Sequence, residues 1–252
     1  LGLVKSISVG INGDARAAAA ALVDRLKGRS LACVANKAER SARIKSEKDA
    51  WEQELGAWTH ETDPFSLEVA RDSQYMHPRQ MLRELEKAMP RHAMVSTDIG
   101  NICSVSNSYL RFDEPRSMFA AMSFGNCGYA FPVACGAKIA APDRPMIAYV
   151  GDGAWGISLN ELLTCAREKI GVTVVVFNNG QWGAEKKNHV DFYSQRFQAV
   201  DLVSPSWAGV AKAFGCEGVT VDRLSDVGPA LRASVQSQVE GKTTILEMMV
   251  TR

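Results

Sequence analysis

Two hard oxygen ligands stand 27 positions apart in this chain. One is the carboxylate of Asp152, in Gly151-Asp152-Gly153; the other is the amide of Asn179, the second residue of Asn178-Asn179. One carboxylate and one amide oxygen suit Mg²⁺, which takes few protein ligands and completes its octahedron with phosphate and water oxygens. Glycines beside Asp152 let the backbone approach a diphosphate, and a helix starting nearby would favour its charge.

The stretch that must position these two residues reads as strand, turn, helix, strand. Residues 145–150 (Pro-Met-Ile-Ala-Tyr-Val) are a short apolar run ending at a glycine turn. Ser158 and Glu161 have capping-box spacing, which predicts a helix starting there, just after Trp155. Leu159, Leu162, Leu163, Ala166 and Ile170 would form its apolar face, and Gly171 would close it. Residues 172–177 (Val-Thr-Val-Val-Val-Phe) are too apolar for a half-exposed strand and read as a central parallel one, covered on both faces. A right-handed crossover sets the two strands side by side or nearly so. Asp152 and Asn179 then emerge at the carboxyl edge of one sheet, where open α/β sheets bind ligands.

In these residues the chain resembles the thiamine diphosphate enzymes. The resemblance implies that Asp152, Asn179 and the main-chain carbonyl of Gln181 hold the metal, here Mg²⁺, that anchors the cofactor's diphosphate, with Gly151, Gly153 and Ala154 around it. Three further pieces match the same pattern. Ile99-Gly100-Asn101-Ile102 would begin the diphosphate and pyrimidine contacts; otherwise it is a plain turn with Asn101 as a helix cap. Gly125-Asn126-Cys127-Gly128 would support the bent cofactor, with Cys127 in the place of a larger aliphatic wedge; otherwise Cys127 is a small core residue. Gln181-Trp182-Gly183 follows the metal site, and Trp182 either covers the cofactor or simply packs. Lys186, Lys187 and His189 could attract an anionic substrate or could be surface charge.

Longer wording narrows the resemblance to sulfoacetaldehyde acetyltransferases. It lies in residues 98–101, in 106–112 (Ser-Asn-Ser-Tyr-Leu-Arg-Phe), in 123–129 and in 181–188. That family cleaves sulfoacetaldehyde, releases sulfite and passes the acetyl group to phosphate. By this resemblance residues 1–62 are the end of a central domain plus a linker helix, and 63–252 are the cofactor-diphosphate domain. The pyrimidine-binding domain, with the Glu that activates the cofactor, would lie outside the chain. The start at Leu1-Gly2, without Met, suggests the same. No catalytic residue is therefore assigned, and the chain alone is expected to be inactive. A homo-oligomer, dimer or tetramer, with cofactor sites between subunits is also implied. The nearest enzymatic rival is acetolactate synthase or another 2-oxoacid-cleaving relative. A non-catalytic cofactor-binding or assembly module is the rival of another class. A nicotinamide-binding domain would need a GxGxxG after its first strand, which is lacking.

The resemblance implies small-molecule ligands, and composition points to no other class of partner. Lys+Arg 29 against Asp+Glu 28 gives a net charge of +1, which argues against nucleic acid or a membrane surface as partner. No apolar run could span a bilayer, and no signal peptide is expected. Six cysteines without CxxC spacing read as reduced thiols, so a cytoplasmic location is expected.

The remaining pattern predicts a doubly wound, mostly parallel α/β sheet. Residues 3–9 read as a strand and 15–27 as an Ala-rich helix capped by Asp14. Residues 36–58 read as a solvated helix laced by i,i+4 pairs such as Arg43–Glu47, and 59–75 as a linker. Helix is expected at 78–89, 128–138, 207–214 and 224–239. Strands are expected at 93–96, 118–122, 218–221 and 244–250, with an irregular polar stretch at 180–198.

Overall fold

A computed structural model describes residues 5–30, 34, 36–60 and 75–251. The chain divides into two compact units, Leu1–Glu54 and Leu55–Arg252.

The first unit holds helix α1 (Ala15–Leu26) and most of α2 (Lys37–His60). Asp14 caps α1, accepting from the Ala17 amide at 2.8 Å. Residues 5–12 carry no strand and are exposed, contrary to expectation. Their alternation is loose, and a strand needs a partner ladder to form. Residues 3 and 4 lie outside the described residues. α2 is solvated as expected, with Arg43–Glu47 and Lys45–Asp49 along its exposed face. Most of the anticipated linker, 61–74, also lies outside the described residues.

The second unit is a six-stranded sheet flanked by helices. Its strands are β1 (Met94–Thr97), β2 (Met118–Ala120), β3 (Met146–Gly151), β4 (Thr173–Asn178), β5 (Glu217–Val221) and β6 (Thr244–Met249). They run in the order β2-β1-β3-β4-β6-β5, and every pairing is parallel. Burial on both faces is visible residue by residue. Ile147 and Tyr149 of β3, with Val175 and Phe177 of β4, pack beneath α3 (Pro78–Ala88) and α10 (Leu224–Ser237) through Leu82, Leu85, Val227 and Leu231. Met146, Ala148, Val150, Val174 and Val176 face the other layer. That layer comprises α5 (Ala130–Ala140), α6 (Asp152–Ser158), α7 (Glu161–Glu168) and α9 (Trp207–Ala213). No helix among the described residues is long and apolar enough to cross a membrane.

Several local expectations are corrected. Helix begins at Asp152, directly after β3, and breaks between Ser158 and Glu161. Ser158 is therefore no cap: its hydroxyl is buried without a partner, and Asn160 precedes α7. The break rotates the apolar face, so Leu162 and Cys165 are buried while Leu163 is exposed. Lys169, in the left-handed region at φ 52°, closes α7 in place of Gly171. The polar stretch after β4 contains helix α8 (Gly183–Phe192), which presents no buried residue and so leaves no hydrophobic period to detect.

Candidate active site

Strand order reverses between β1 and β3, because the chain goes outward to β2 before returning inward to β3. Such a switch point leaves a crevice at the strands' carboxyl ends. β1 ends at Thr97, followed by Asp98, Ile99 and Gly100, which precedes helix α4 (Asn101–Ser106); β3 ends at Gly151, followed by Asp152. In register, Gly151 lies opposite Phe177 of β4, so Asn178 and Asn179 leave the sheet beside Asp152.

Asp152 is buried, at 2% exposure. Its carboxylate accepts from the Gly153 amide at 3.0 Å and from the Gly180 amide at 2.8 Å, tying the end of β3 to the end of β4. The two asparagines divide their work by strand alternation. Asn178 Nδ2 turns to Glu247 at 2.9 Å, while Asn179 Oδ1 accepts from the Gln181 amide at 3.3 Å on the cleft side. The loop is held from outside by residues 200–202: Trp182 N donates to Val200 O and Leu202 N to Gly180 O. Gly153 must be glycine for space. A Cβ there would stand 2.8 Å from the Trp182 indole, which lies directly over the turn.

These parts enclose a cleft of about 60 Å³. Ile99, Gly100, Asn101, Ile102, Cys127, Gly151, Asp152, Gly153, Ala154, Asn179, Gln181, Trp182 and Gly183 all line it. Gly125 and Asn126 do not; they lie on the loop that delivers Cys127. Lys186 and Lys187 stand instead on a neighbouring cavity, ion-paired with Asp201 and Asp191. His189 packs against Tyr193 and Phe197 and lines neither space.

Four contributors escaped the sequence reading. Glu185 brings a second carboxylate to the cleft, and Cys103 and Phe177 form part of its lining. Asp98 matters most for its shape. It is 3% exposed and accepts from Ile99 N at 2.9 Å, Gly128 N at 3.0 Å and Ala130 N at 2.8 Å. It thus fastens the loop bearing Cys127, and the start of α5, to the end of β1. Burial raises its pKa above the usual carboxylate value, against the opposing pull of those amides. Burial also raises the Cys127 thiol, helped by the charges of Asp98 and Glu185. The one sequence signal for Asp98 was its place directly after a strand at the same edge as Asp152.

The donor set fits a hard cation beside a diphosphate: a buried carboxylate and an amide oxygen at adjacent strand ends, with the Gln181 Oε1 close by, buried without a hydrogen-bond partner among the described residues. Ligand pockets usually measure ~300–1,000 Å³, so this cleft provides one wall and not a whole enclosure.

Comparison with known proteins decides the family. The model of the thiamine pyrophosphate enzyme C-terminal TPP-binding domain matches residues 98–247, more than half of the chain. The chain belongs to this family. The match spans the TPP-binding domain from Asp98, at the end of β1, to Glu247 in β6. Over 258 residues and all of its length the chain is 63% identical to a sulfoacetaldehyde acetyltransferase of Castellaniella defragrans, covering 43% of that protein. It is 28% identical over 205 residues, 81% of this chain and 32% of the other, to an acetolactate synthase large subunit of Parasynechococcus marenigrum. The chain thus spans under half the length of these curated relatives. In fold, the TPP-binding domain resembles a thiamine diphosphate-dependent 4-hydroxybenzoylformate decarboxylase of Rhodococcus jostii RHA1. The TM-score is 0.66 and the identity 22%, over 71% of this chain and 33% of that one.

Proposed function

We propose that these residues form the diphosphate- and metal-binding part of a Mg²⁺- and thiamine diphosphate-dependent acyltransferase. Its reaction is the cleavage of sulfoacetaldehyde, with release of sulfite and transfer of the acetyl group to phosphate. The observation that carries the reading is the meeting of Asp152 and Asn179 at adjacent strand ends around one cleft. The substrate class follows from the 63% identical relative, well above the 28% of the acetolactate synthase.

In this reading the Asp152 carboxylate, the Asn179 amide oxygen and the Gln181 main-chain carbonyl hold Mg²⁺. Gly151, Gly153 and Ala154 lie against the diphosphate, and Ile99, Gly100, Asn101 and Ile102 lead toward the pyrimidine. Gly125 and Asn126 shape the loop that presents Cys127 as the wedge. Trp182 and Gly183 cover the diphosphate end and exclude water. When bound, thiamine diphosphate supplies the carbanion and the electron sink. The activating Glu belongs to a pyrimidine-binding domain, with residues 1–62 as the end of a central domain and 63–252 as the diphosphate domain.

A second subunit completes the site. Met122 and Phe124, exposed by 76% and 91% beside the Cys127 loop, support an apolar contact there. The setting is cytoplasmic, with small molecules as ligands and neither nucleic acid nor membrane as partner.

The test is calorimetry of the full-length protein, pyrimidine-binding domain included, with thiamine diphosphate and Mg²⁺, paired with an assay of sulfite and acetyl phosphate formation. Asp152→Ala should abolish Mg²⁺-dependent binding. Unchanged affinity in that variant would overturn the site. Acetolactate from pyruvate, with no sulfite from sulfoacetaldehyde, would overturn the substrate.

A further inference from the structure

Beside the cofactor cleft lies a second cavity of about 370 Å³. The two spaces share Asn101, Ile102, Asn179, Gln181 and Gly183 as a common wall. Three cationic side chains, Arg79, Lys186 and Lys187, line this second cavity. Two of them are already answered by carboxylates. Lys186 Nζ lies 3.0 Å from Asp201, and Lys187 Nζ lies 2.6 Å from Asp191.

Arg79 is different. Among the described residues no carboxylate forms an ion pair with it. Its contact is the Trp58 indole, with Cζ 5.4 Å from the ring centroid. A cation–π contact of this kind uses the face of the ring and leaves the guanidinium N–H groups available. Arg79 is half-buried and stands in the first turn of α3, where the helix dipole adds to its charge in the same sense. A guanidinium with no counter-ion among the described residues, on the wall of a cavity, matches a tetrahedral oxyanion, which it can grip through two N–H groups at once.

We propose that Arg79 anchors a tetrahedral oxyanion subsite beside the cofactor cleft, for either the phosphate acceptor or the sulfonate of the aldehyde. The assignment of those two ligands rests on the function proposed above. The subsite itself rests on Arg79, its contact with Trp58 and the shared wall. Lys186 and Lys187, expected from sequence to draw the anion, are held by their own carboxylates, which makes Arg79 the open charge.

The experiment uses the full-length protein, pyrimidine-binding domain included, and its variants Arg79→Gln and Arg79→Lys. Binding of inorganic phosphate and of ethanesulfonate is measured by calorimetry, and each substrate's KM by steady-state kinetics. Loss of a charge-assisted contact should weaken one anion about tenfold or more in Arg79→Gln. Arg79→Lys, which keeps the charge but not the fork, should fall between. Mg²⁺-dependent cofactor affinity should not change. Weaker phosphate binding with a raised phosphate KM assigns the acceptor; weaker ethanesulfonate binding with a raised aldehyde KM assigns the sulfonate. If the protein does not turn over sulfoacetaldehyde but phosphate binding still depends on Arg79, the subsite stands and the proposed reaction falls. Unchanged binding of both anions in an Arg79→Gln protein of wild-type Tm overturns the subsite.

Discussion

Replacing Asp98 by Ala tests whether the cleft depends on a clamp that touches neither metal nor diphosphate. The carboxylate satisfies three backbone donors, of Ile99, Gly128 and Ala130. Ala130 N is buried and is an orphan donor in the first turn of α5, so losing its acceptor resembles losing a helix cap with water excluded. A buried donor left unsatisfied costs about 1–3 kcal/mol. The Gly128 bond is part-buried and adds about 0.5–1.5 kcal/mol. The Ile99 bond is local and adds little. The sum is about 1.5–4.5 kcal/mol, read as a lower urea midpoint at unchanged m-value. The damage should be local as well: the amides of Gly128 and Ala130 should exchange hydrogen faster, and Cys127 should react faster with a thiol reagent. Asp98→Asn separates charge from shape. Burial raises the folded pKa of Asp98 above 3.8. As pH rises through 3.8 the unfolded chain ionises first and the native state holds the extra proton, so native stability falls. The wild-type contribution is therefore full below 3.8 and declines up to the raised pKa. The amide of the Asp98→Asn variant cannot ionise, so the stability gap between wild type and that variant should shrink across the window. A change under about 0.5 kcal/mol in Asp98→Ala, with wild-type exchange at Gly128 and Ala130, would refute the clamp.

Two further outcomes are expected. Glu247, 3% exposed, accepts from Asn178 Nδ2, Ser206 Oγ, Thr220 Oγ1 and the amides of Trp207 and Ala208 at 2.9–3.2 Å. Glu247→Ala should cost about 3 kcal/mol or more in urea unfolding, and a loss below about 1 kcal/mol would show that water replaces the carboxylate. Gly153→Ala places a Cβ 2.8 Å from the Trp182 ring and should destabilise by about 1–3 kcal/mol. Trp182→Ala in the same protein should recover most of that; strict additivity of the two changes would mean that the rings and the turn do not touch.

What the sequence made legible was whatever depends on period and chain order. Residues 172–177 announced a strand buried on both faces through an unbroken β-branched run, and Val174 and Val175 are each fully buried on opposite layers. The Asp152 and Asn179 pairing followed from the crossover rule alone. Boundaries were harder. Ser158 and Glu161 mimic a capping box, but the chain had already entered a helix at Asp152, because backbone after β3 needs partners at once and the Gly151 turn leads straight into them. Helix α8 was invisible because neither face of it is buried.

The long-range groups were illegible for a different reason. Asp98 meets Ala130 across 32 positions and Glu247 meets Ser206 across 41, and nothing in their local sequence marks either as an acceptor. Both are buried carboxylates that fasten a helix start to a strand, one beside the cleft and one beneath Asn178. A buried carboxylate is costly unless donors surround it, so each is stable only in the arrangement it enforces. Asn178 shows the consequence for the site. Its amide is committed to Glu247, which fixes the backbone turn at the end of β4 and directs the next amide, that of Asn179, into the cleft beside Asp152. The geometry of the proposed metal site is thus held from below the sheet edge, by a residue too far along the chain to belong to any local motif.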